Sequence, residues 1–456
     1  MDRTDTPCAM RNSWFIIAVF AALIGCDRTP AGPIPPGPSS QSSAIEDLVK
    51  AFLSRTGQER ESARQKLMEQ GWSSIPFLTA ALPQATDSQR NDLKDLLAKM
   101  SETLRPPDPN ESAYRGDLRR TGNFPSVPPV GPVEVKWRVS VGEVGHSPAV
   151  TRTSVIVGLE SGNFQARTVS DGKLLWEVGL GSPVRAVPIV AAGLVIVTSL
   201  DANVHCLEES TGKLKWKYGA QGGAVSKLST SAAVHEGVVY IVGPGAKLHA
   251  IDLQKGTSIW SLKLGDASFS APSIKGNLLF TGLLDNAVAA VDLASRKMVW
   301  KSEIQKGSMS STVWSDAALL IQGQQGLHGL NPQTGAIEWS HREDTPGRNE
   351  MALADGHLAF TSVTNSMRGV TKLTVLSLLD RKALWSRDWG YSITSPCMAG
   401  GIVFVGTEWK EIHALVVSTG AELWKLSLDG EIDHSPTPAN HELYAVTRQG
   451  SLYCIR

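Results

Sequence analysis

The fold is decided by a turn with a glycine four residues before a tryptophan, as in Leu207-Glu208-Glu209-Ser210-Thr211-Gly212-Lys213-Leu214-Lys215-Trp216. A tryptophan recurs about every 40 residues through the C-terminal three-quarters of the chain. Its eight positions are Trp137, Trp176, Trp216, Trp260, Trp300, Trp339, Trp385 and Trp424. A repeat of roughly 40–45 residues with strand-like runs predicts the blades of a β-propeller.

Other features keep phase with these tryptophans. A glycine, suited to the positive φ of a tight turn, stands four residues earlier in five units, at Gly172, Gly212, Gly256, Gly335 and Gly420. Arg296 and Arg381 take its place in two other units, where we expect altered or slightly strained turns. Apolar β-branched or aromatic runs such as Val155-Ile156-Val157 follow the tryptophan strand in six units. Each unit therefore supplies three strands before its tryptophan strand.

The number of strands predicts how the ring closes. The Trp137 strand has no preceding unit, and the unit after Trp424 has no following tryptophan strand. These two incomplete parts complement each other. The fold class expected for residues 134–456 is mostly β, an eight-bladed propeller of four-stranded antiparallel blades closed by the N-terminal Trp137 strand. All eight tryptophans are interpreted as structural residues buried in the seams between blades, and Trp260→Ala is expected to cost about 3–5 kcal/mol.

The N-terminus has the features of an export signal. An apolar run from Trp14 to Gly25 follows Arg11 and is far shorter than the roughly 20 residues that span a bilayer. Its end, Leu23-Ile24-Gly25-Cys26, resembles the bacterial lipobox, which implies cleavage before Cys26 and a lipid on its thiol. We therefore interpret residues 1–26 as a lipoprotein signal peptide. A plain signal peptide with an incidental cysteine is the alternative.

Three further segments precede the propeller. Residues 27–43 are rich in Pro, Gly and Ser and predict an extended tether. Residues 44–104 have apolar residues at helical spacing, such as Ile45, Leu48, Val49 and Phe52, and resemble a pair of HEAT-like helical repeats. Residues 105–133 hold seven prolines and predict a connector.

Composition excludes some function classes. The chain has 44 basic and 44 acidic residues and a formal net charge of zero, so it lacks the basic excess typical of nucleic-acid binding. No nucleic acid is expected as a partner. Beyond the N-terminal segment three cysteines remain, Cys206, Cys397 and Cys454. Their odd number and wide spacing indicate buried free thiols and no disulfide framework.

The units resemble the pyrroloquinoline-quinone (PQQ) enzyme repeat. The resemblance lies in residues 207–216 and 416–424, and in Tyr114-Arg115-Gly116-Asp117 with Arg120-Thr121-Gly122, a segment similar to the one that introduces such propellers. It covers about residues 114–456. The resemblance implies a propeller fold. The family includes quinoprotein dehydrogenases and also non-catalytic, BamB-like scaffold lipoproteins of outer-membrane assembly.

The dehydrogenase alternative implies an adjacent cysteine pair on the quinone and Ca²⁺ ligands near a catalytic Asp. No two cysteines are adjacent here, and no Asp/Glu/Asn cluster has suitable spacing. Asp201, Asp285 and Glu408 fall in tight turns, where acidic residues are common for conformational reasons. His205, His249 and His413 occupy equivalent repeat positions and are not expected to converge. We therefore expect no catalytic residue, no metal and no cofactor, with PQQ and calcium confined to the alternative of a dehydrogenase.

Two departures from the repeat predict the binding face. The hairpin Ser362–Lys372, which contains Arg368, is enlarged, and Lys217–Ser229 forms an extra loop. Trp409 stands at the tip of a third turn. Trp409 and Arg368 are the candidate interaction residues. The hypothesis is a lipid-anchored, non-catalytic scaffold that faces the periplasm in a bacterial cell envelope and binds other envelope proteins. A sugar- or small-molecule-binding propeller is a further alternative.

Overall fold

The computed structural model describes residues 39–104, 116–117, 120–220, 230–265, 268, 270–304, 311–315, 317–323, 326–342, 350–365 and 370–456. Its strands form eight four-stranded sheets, and each sheet pairs its strands in antiparallel order. The expected eight-bladed propeller is confirmed. The expected signal peptide, Cys26 and most of the expected tether lie outside the described residues.

Four helices precede the strands: α1 (Ser39–Ser54), α2 (Gly57–Gln70), α3 (Ile75–Ala81) and α4 (Asp87–Thr103). Helix α1 begins at Ser39 and not at Ala44, because the serine-rich end of the expected tether supplies its first turn. The cap of α4 is Thr86, which forms a capping box with Gln89. Short 3₁₀ turns lie at Gly71–Ser74 and Leu82–Gln84.

Blades one to four are built from β2 to β17 in chain order. Their bounds are β2 (Ala149–Val150), β3 (Ser154–Gly158), β4 (Asn163–Thr168), β5 (Leu174–Gly179), β6 (Ile189–Ala191), β7 (Leu194–Thr198), β8 (Asn203–Glu208), β9 (Leu214–Gly219), β10 (Ala233–His235), β11 (Val238–Gly243), β12 (Lys247–Asp252), β13 (Ser258–Lys263), β14 (Ser273–Lys275), β15 (Leu278–Leu283), β16 (Ala287–Asp292) and β17 (Lys297–Glu303).

Blades five to eight contain the remaining strands. Their bounds are β18 (Val313–Trp314), β19 (Leu319–Gly323), β20 (Gly326–Leu330), β21 (Ile337–Arg342), β22 (Ala352–Ala354), β23 (His357–Asn365), β24 (Val370–Ser377), β25 (Lys382–Trp389), β26 (Cys397–Ala399), β27 (Ile402–Gly406), β28 (Glu411–Val416), β29 (Glu422–Ser427), β30 (Thr437–Ala439), β31 (Glu442–Val446), β32 (Ser451–Ile455) and β1 (Val135–Ser140).

The ring closes between the two ends of the strand sequence. β1 is the outer strand of the eighth blade and pairs antiparallel with β32, with Trp137 opposite Cys454. The inner strands of the first and eighth blades, β2 and β30, are also in contact. Closure by the N-terminal tryptophan strand is therefore confirmed.

Each tryptophan lies on the outer strand of its blade and reaches the next blade. A bulge directly before the tryptophan shifts the register in all eight blades. In six blades the indole nitrogen donates to a backbone carbonyl 2.7–2.9 Å away, and the donors are Trp137, Trp176, Trp216, Trp300, Trp385 and Trp424. Trp137, Trp176, Trp216 and Trp424 are buried, and the other four repeat tryptophans are partly buried.

The turn glycine of the next blade packs against the tryptophan ring. A Cβ built on Gly212 would lie 2.5 Å from Cε3 of Trp176, and Gly212 has a φ of +68°. Arg296 and Arg381 keep the positive φ, at 60° and 58°. The guanidinium of Arg381 lies 5.4 Å from the ring centre of Trp339, so a cation–π contact replaces the glycine contact there.

In the eighth blade, the connector takes the place of the turn between the third and fourth strands, which this blade lacks because its outer strand is β1. Trp424 faces the eighth blade, whose outer two strands come from opposite ends of the chain and share no turn. Its indole nitrogen donates instead to the Pro129 carbonyl at 2.9 Å, and its ring packs against Gly131. Pro129–Gly131 thus supply the carbonyl and the glycine that the other turns provide.

Substitution of Gly212 tests the glycine contact. Gly212→Ala is expected to cost about 3 kcal/mol, because the methyl group meets Trp176 and a positive φ strains alanine. Gly193→Ala is the matched control, since Gly193 has a φ of +71° and open space around its Cβ position. We expect the control to cost about 1 kcal/mol in urea denaturation. Equal costs for the two variants would contradict the proposed role of the ring contact.

The helices pack on the seventh and eighth blades. Trp72 stacks on His441, with ring centres 6.5 Å apart, and Leu423 of β29 packs against the helical core. A Cβ on Gly401 would lie 2.7 Å from Cα of Pro76, so the two backbones approach closely. Among the described residues, no helix is both long and apolar enough to cross a membrane.

Candidate interaction surface

The antiparallel order of the blades gives the ring two different faces. We call loop face the one that carries the turns between second and third strands and the connections to the next blade. The other face, the turn face, carries the remaining turns, the tryptophan–glycine contacts and the docked helices. Trp409 belongs to the loop face, opposite the helices, and so do the described strand ends that flank the two expected insertions.

The sixth blade is the longest on the loop face. Its strands β23, β24 and β25 have 9, 8 and 8 residues, whereas the second to fourth strands of the other blades have 5 to 7. The enlarged hairpin expected from the sequence corresponds to this extension. Arg368 lies outside the described residues, as do residues 221–229 of the other insertion.

The extension of β25 builds an aromatic ridge with the seventh blade. We define the aromatic ridge as Trp389, Tyr391 and Trp409. Ring centres are 6.0 Å apart for Trp389 and Tyr391 and 5.6 Å apart for Tyr391 and Trp409. Trp389 is 3% exposed, Tyr391 is partly buried and Trp409 is 66% exposed. The ridge therefore rises from the core to solvent.

Polar side chains on β25, β28 and β29 support the ridge. The ring centre of His413 lies 4.6 Å from that of Trp389, and its Nδ1 is 2.8 Å from a carboxylate oxygen of Glu422. Arg387 lies 4.5 Å from the Trp389 ring centre and also pairs with Glu422. Burial raises the pKa of Glu422, but hydrogen bonds and electrostatic interactions with His413 and Arg387 outweigh this effect and lower the pKa. These side chains form a hydrogen-bonded network beneath the ridge.

A second feature of the loop face is a carboxylate at the start of an inner strand. Glu350 precedes β22, at a repeat position where Ser311, Ser395 and Ser435 stand in other blades. Its carboxylate accepts hydrogen bonds from the backbone nitrogen and the hydroxyl of Ser311 at 3.0–3.3 Å. Its own nitrogen donates to Oγ of Ser395 at 3.0 Å. Sequence reasoning missed Glu350, although its departure from the small-residue pattern was a detectable signal.

The connector crosses the inner strands of the ring. The Thr121 carbonyl accepts from the Leu353 nitrogen at 2.5 Å, and Gly122 and Phe124 exchange hydrogen bonds with Met398. Arg120 is 1% exposed and donates to the carbonyls of Pro272 and Ala232, at 2.9 and 2.7 Å.

These contacts join blades six and seven to blades three and four. Arg120 therefore bridges the ring across its axis. The Asp117 carboxylate accepts hydrogen bonds from the nitrogen and the hydroxyl of Thr121 and so ties down the connector, and Arg115 lies outside the described residues.

The described residues do not fit the calcium–quinone centre of the dehydrogenase alternative. In the described part of the chain, no group of three or more His, Cys, Asp or Glu side chains is arranged so that it could hold a metal ion, whereas Ca²⁺ takes about six to eight oxygen ligands. His205, His249 and His413 lie on the third strands of separate blades. Asp201, Asp285 and Glu408 lie in turns between second and third strands. The structure brings neither set together.

The three C-terminal cysteines are free and buried. Burial raises the pKa of the Cys206 thiol to about 12, and it raises that of Cys454 as well. Since the thiolate is the reactive form, the raised pKa values disfavour the reactive form of both thiols. The sequence expectation of buried free thiols is confirmed.

Buried His146 makes stability depend on pH. Burial lowers the pKa of His146 to about 3. The hydrogen bond between its ring and the Ser147 carbonyl raises the pKa, and the nearby His434 lowers it further. Nε2 of His146 accepts a hydrogen bond from the Gly158 nitrogen, so the folded state holds the neutral ring. Protonation favours the unfolded chain below the ordinary pKa of about 6.5. The stabilisation is complete above pH 6.5 and decreases toward pH 3.

We expect His146 to account for a loss of about 2 kcal/mol between pH 6.5 and 5. His146→Gln keeps an acceptor for Gly158 but cannot be protonated. Urea denaturation at both pH values should show a smaller loss in the variant than in the wild-type protein. An identical loss in both proteins would contradict the assignment.

Known proteins that resemble this chain share its propeller architecture. A family model described as "Outer membrane protein assembly factor BamB" matches residues 134–341, 284–390 and 371–455. BamB of Yersinia pestis is 23% identical over 202 residues, which are 41% of this chain and 51% of that protein. BamB of Shewanella oneidensis is 22% identical over 306 residues, 67% of this chain and 69% of that protein. The chain thus spans about half the length of the Yersinia relative.

Solved structures share the fold at low identity. The crystal structure of BamB from Moraxella catarrhalis superposes with a TM-score of 0.60 and 14% identity, covering 72% of this chain and 98% of that one. A quinohemoprotein alcohol dehydrogenase from Pseudomonas putida gives a TM-score of 0.66 and 13% identity, covering 76% and 80%. Identities this low show the propeller fold alone. Because the family model covers the ring from residue 134 to residue 455, the chain belongs to the family of the outer membrane protein assembly factor BamB.

Proposed function

We propose that this chain is a non-catalytic scaffold of the bacterial cell envelope that binds other envelope proteins during outer-membrane protein assembly. The observation that carries the proposal is the family match across the whole ring. The relatives named above are assembly factors by name. We propose the same assembly role for this chain, which is 22–23% identical to these two relatives over part of their length.

The loop face is the proposed binding face. The turn face carries the helices over blades seven and eight, whereas the loop face carries the elongated sixth blade and the aromatic ridge. Tryptophan, tyrosine and arginine are enriched among the residues that dominate binding energy in protein interfaces. The ridge and Arg387 contain all three residue types.

We further propose that the chain is anchored by a lipid on Cys26 and faces the periplasm. The support is the match of Leu23-Ile24-Gly25-Cys26 to a lipobox and the Pro/Gly/Ser-rich residues that follow it. Cys26→Ser is expected to move the protein from the membrane fraction to the soluble fraction and to abolish labelling with radioactive palmitate. Unchanged labelling of the variant would contradict the anchor.

Site-specific cross-linking tests the binding face. A photoreactive amino acid replaces Trp409 in one variant and Leu379 in a matched control, because Leu379 is 87% exposed in a turn of the opposite face. After irradiation of membranes, we expect an adduct with a protein of the outer-membrane assembly machinery at position 409 and none at position 379. Adducts at 379 alone would place binding on the turn face and contradict the proposal.

The dehydrogenase alternative has its own test. Purified protein is incubated with PQQ and Ca²⁺ and then desalted. We expect no quinone absorbance to remain, because the described residues supply no group of His, Cys, Asp and Glu side chains that could hold the metal ion. Retained absorbance together with dye reduction by an alcohol would favour the enzyme and contradict the scaffold.

A further inference from the structure

We propose that the aromatic ridge binds a proline-rich segment of a partner protein in the polyproline II conformation. The inference rests on the proposed function, since it assumes that the loop face receives partner proteins, and it names the chemistry of the segment bound. Polyproline segments dock on grooves lined by aromatic side chains because their backbone is already extended before binding.

The angles between the rings favour proline over a flat ligand. The planes of Tyr391 and Trp409 are inclined by 46°, and those of Trp389 and Tyr391 by 65°. Successive rings are therefore inclined to one another and form no common flat surface. A pyrrolidine ring is compact and can pack in the angle between Tyr391 and Trp409, whereas a sugar ring that stacks on aromatic residues needs an open, flat aromatic face. The inclined rings favour the proline-rich segment over a glycan.

The two outer residues of the ridge also carry hydrogen-bond donors. The indole of Trp409 has one N–H group and the phenol of Tyr391 has one O–H group. A polyproline II helix makes no internal hydrogen bonds and presents its carbonyl oxygens outward. Donors on aromatic rings therefore match both the apolar rings and the unpaired carbonyls of such a segment.

Charges around the ridge are balanced, which suits an uncharged ligand. Arg387 pairs with Glu422, and Lys425 pairs with Glu411, so these charges are already neutralised within the chain. Glu408 and Lys410, of opposite sign, flank Trp409 in the sequence. A strongly acidic or basic partner would find no excess of the complementary charge. A proline-rich segment needs none.

The inner two residues of the ridge, Trp389 and Tyr391, are held in place before any ligand binds. Trp389 is buried in a hydrophobic cluster with Ile393 and Met398, and Tyr391 packs against the same cluster. His413 and Arg387 contact the Trp389 ring. Only a limited loss of side-chain entropy is therefore expected on binding, and preorganisation of this kind favours affinity.

Octaproline is the probe for this proposal. Fluorescein-labelled octaproline is titrated with the full chain, and binding is followed by fluorescence anisotropy. We expect saturable binding by the wild-type protein and at least about tenfold weaker binding by Trp409→Ala. Trp409→Phe retains a ring and should bind with intermediate affinity.

Leu284→Ala is the matched control. Leu284 is a 42% exposed apolar residue in the turn between β15 and β16, the equivalent of the Trp409 turn on the same face. The affinity of the Leu284→Ala variant for octaproline should stay within about twofold of that of the wild-type protein. Thermal melts of every variant check that the propeller is folded.

Three results would overturn the proposal. They are an absence of saturable octaproline binding by the wild-type protein, equal affinity of Trp409→Ala and wild type, and saturable binding of chitotetraose in place of octaproline, which would assign the ridge to a glycan. An adduct at position 409 with no octaproline binding would refute this inference and leave the scaffold function standing. Octaproline binding without any adduct would refute the scaffold function.

Discussion

Trp216→Ala is expected to lower the free energy of unfolding by about 3–5 kcal/mol. The ring is 9% exposed, and its nitrogen donates to the Leu253 carbonyl of the next blade at 2.9 Å. A Cβ on Gly256 would lie 2.5 Å from the ring, so the ring fills the seam completely. Alanine would leave a cavity between two blades and a carbonyl without its donor. Urea denaturation with two-state analysis measures the loss.

Two variants control this prediction. Trp260→Ala should cost less than Trp216→Ala, because Trp260 is only partly buried and Arg296 stands in the facing turn. The sequence alone predicted the full 3–5 kcal/mol at Trp260, so the structure lowers that expectation. Trp409→Ala should change stability by less than about 0.5 kcal/mol, as is usual for exposed residues. Equal effects at all three positions would refute the seam assignment.

Arg120→Ala is expected to lower the free energy of unfolding by about 3–5 kcal/mol. Hydrogen bonds from charged donors contribute about 1.5–3 kcal/mol each, and Arg120 makes two with carbonyls that lie across the ring. Its loss would remove these donors from the Pro272 and Ala232 carbonyls. Arg120→Lys keeps the charge but not the forked donor geometry, so we expect an intermediate loss.

The control is Arg448→Ala. Arg448 forms an exposed ion pair with Glu431 at 3.3 Å, and such pairs contribute about 0–1 kcal/mol. Comparison of thermal and urea denaturation for the three variants separates the bridging role of Arg120 from the general effect of removing a surface charge. A loss at Arg120 no larger than at Arg448 would show that the connector does not brace the ring.

Features of the ring that repeat locally could be predicted from the sequence. The tryptophan spacing and the turn glycines lie within a single repeat unit, and the incomplete units at the two ends fixed the closure by Trp137. Each signal is set by nearby residues and a regular period. Even Arg296 and Arg381 were recognisable as exceptions because the period defined their positions.

Contacts between distant parts of the chain could not be predicted in this way. Arg120 meets Pro272, 152 residues away, and Trp72 meets His441 through the packing of helices on blades. Tyr391 lies in a connection between blades, where the repeat imposes no pattern. Trp409 was recognised as exposed, but its partners in the aromatic ridge became visible only when blades six and seven were placed side by side.

The central claim is that the chain assists outer-membrane protein assembly as a scaffold. The most direct test is the amount of outer-membrane β-barrel proteins in the native bacterium after deletion of the gene. We expect those proteins to decrease and to be restored by the wild-type chain but not by a variant lacking the aromatic ridge, Tyr391→Ala with Trp409→Ala. Unchanged amounts of outer-membrane proteins in the deletion strain would contradict the account.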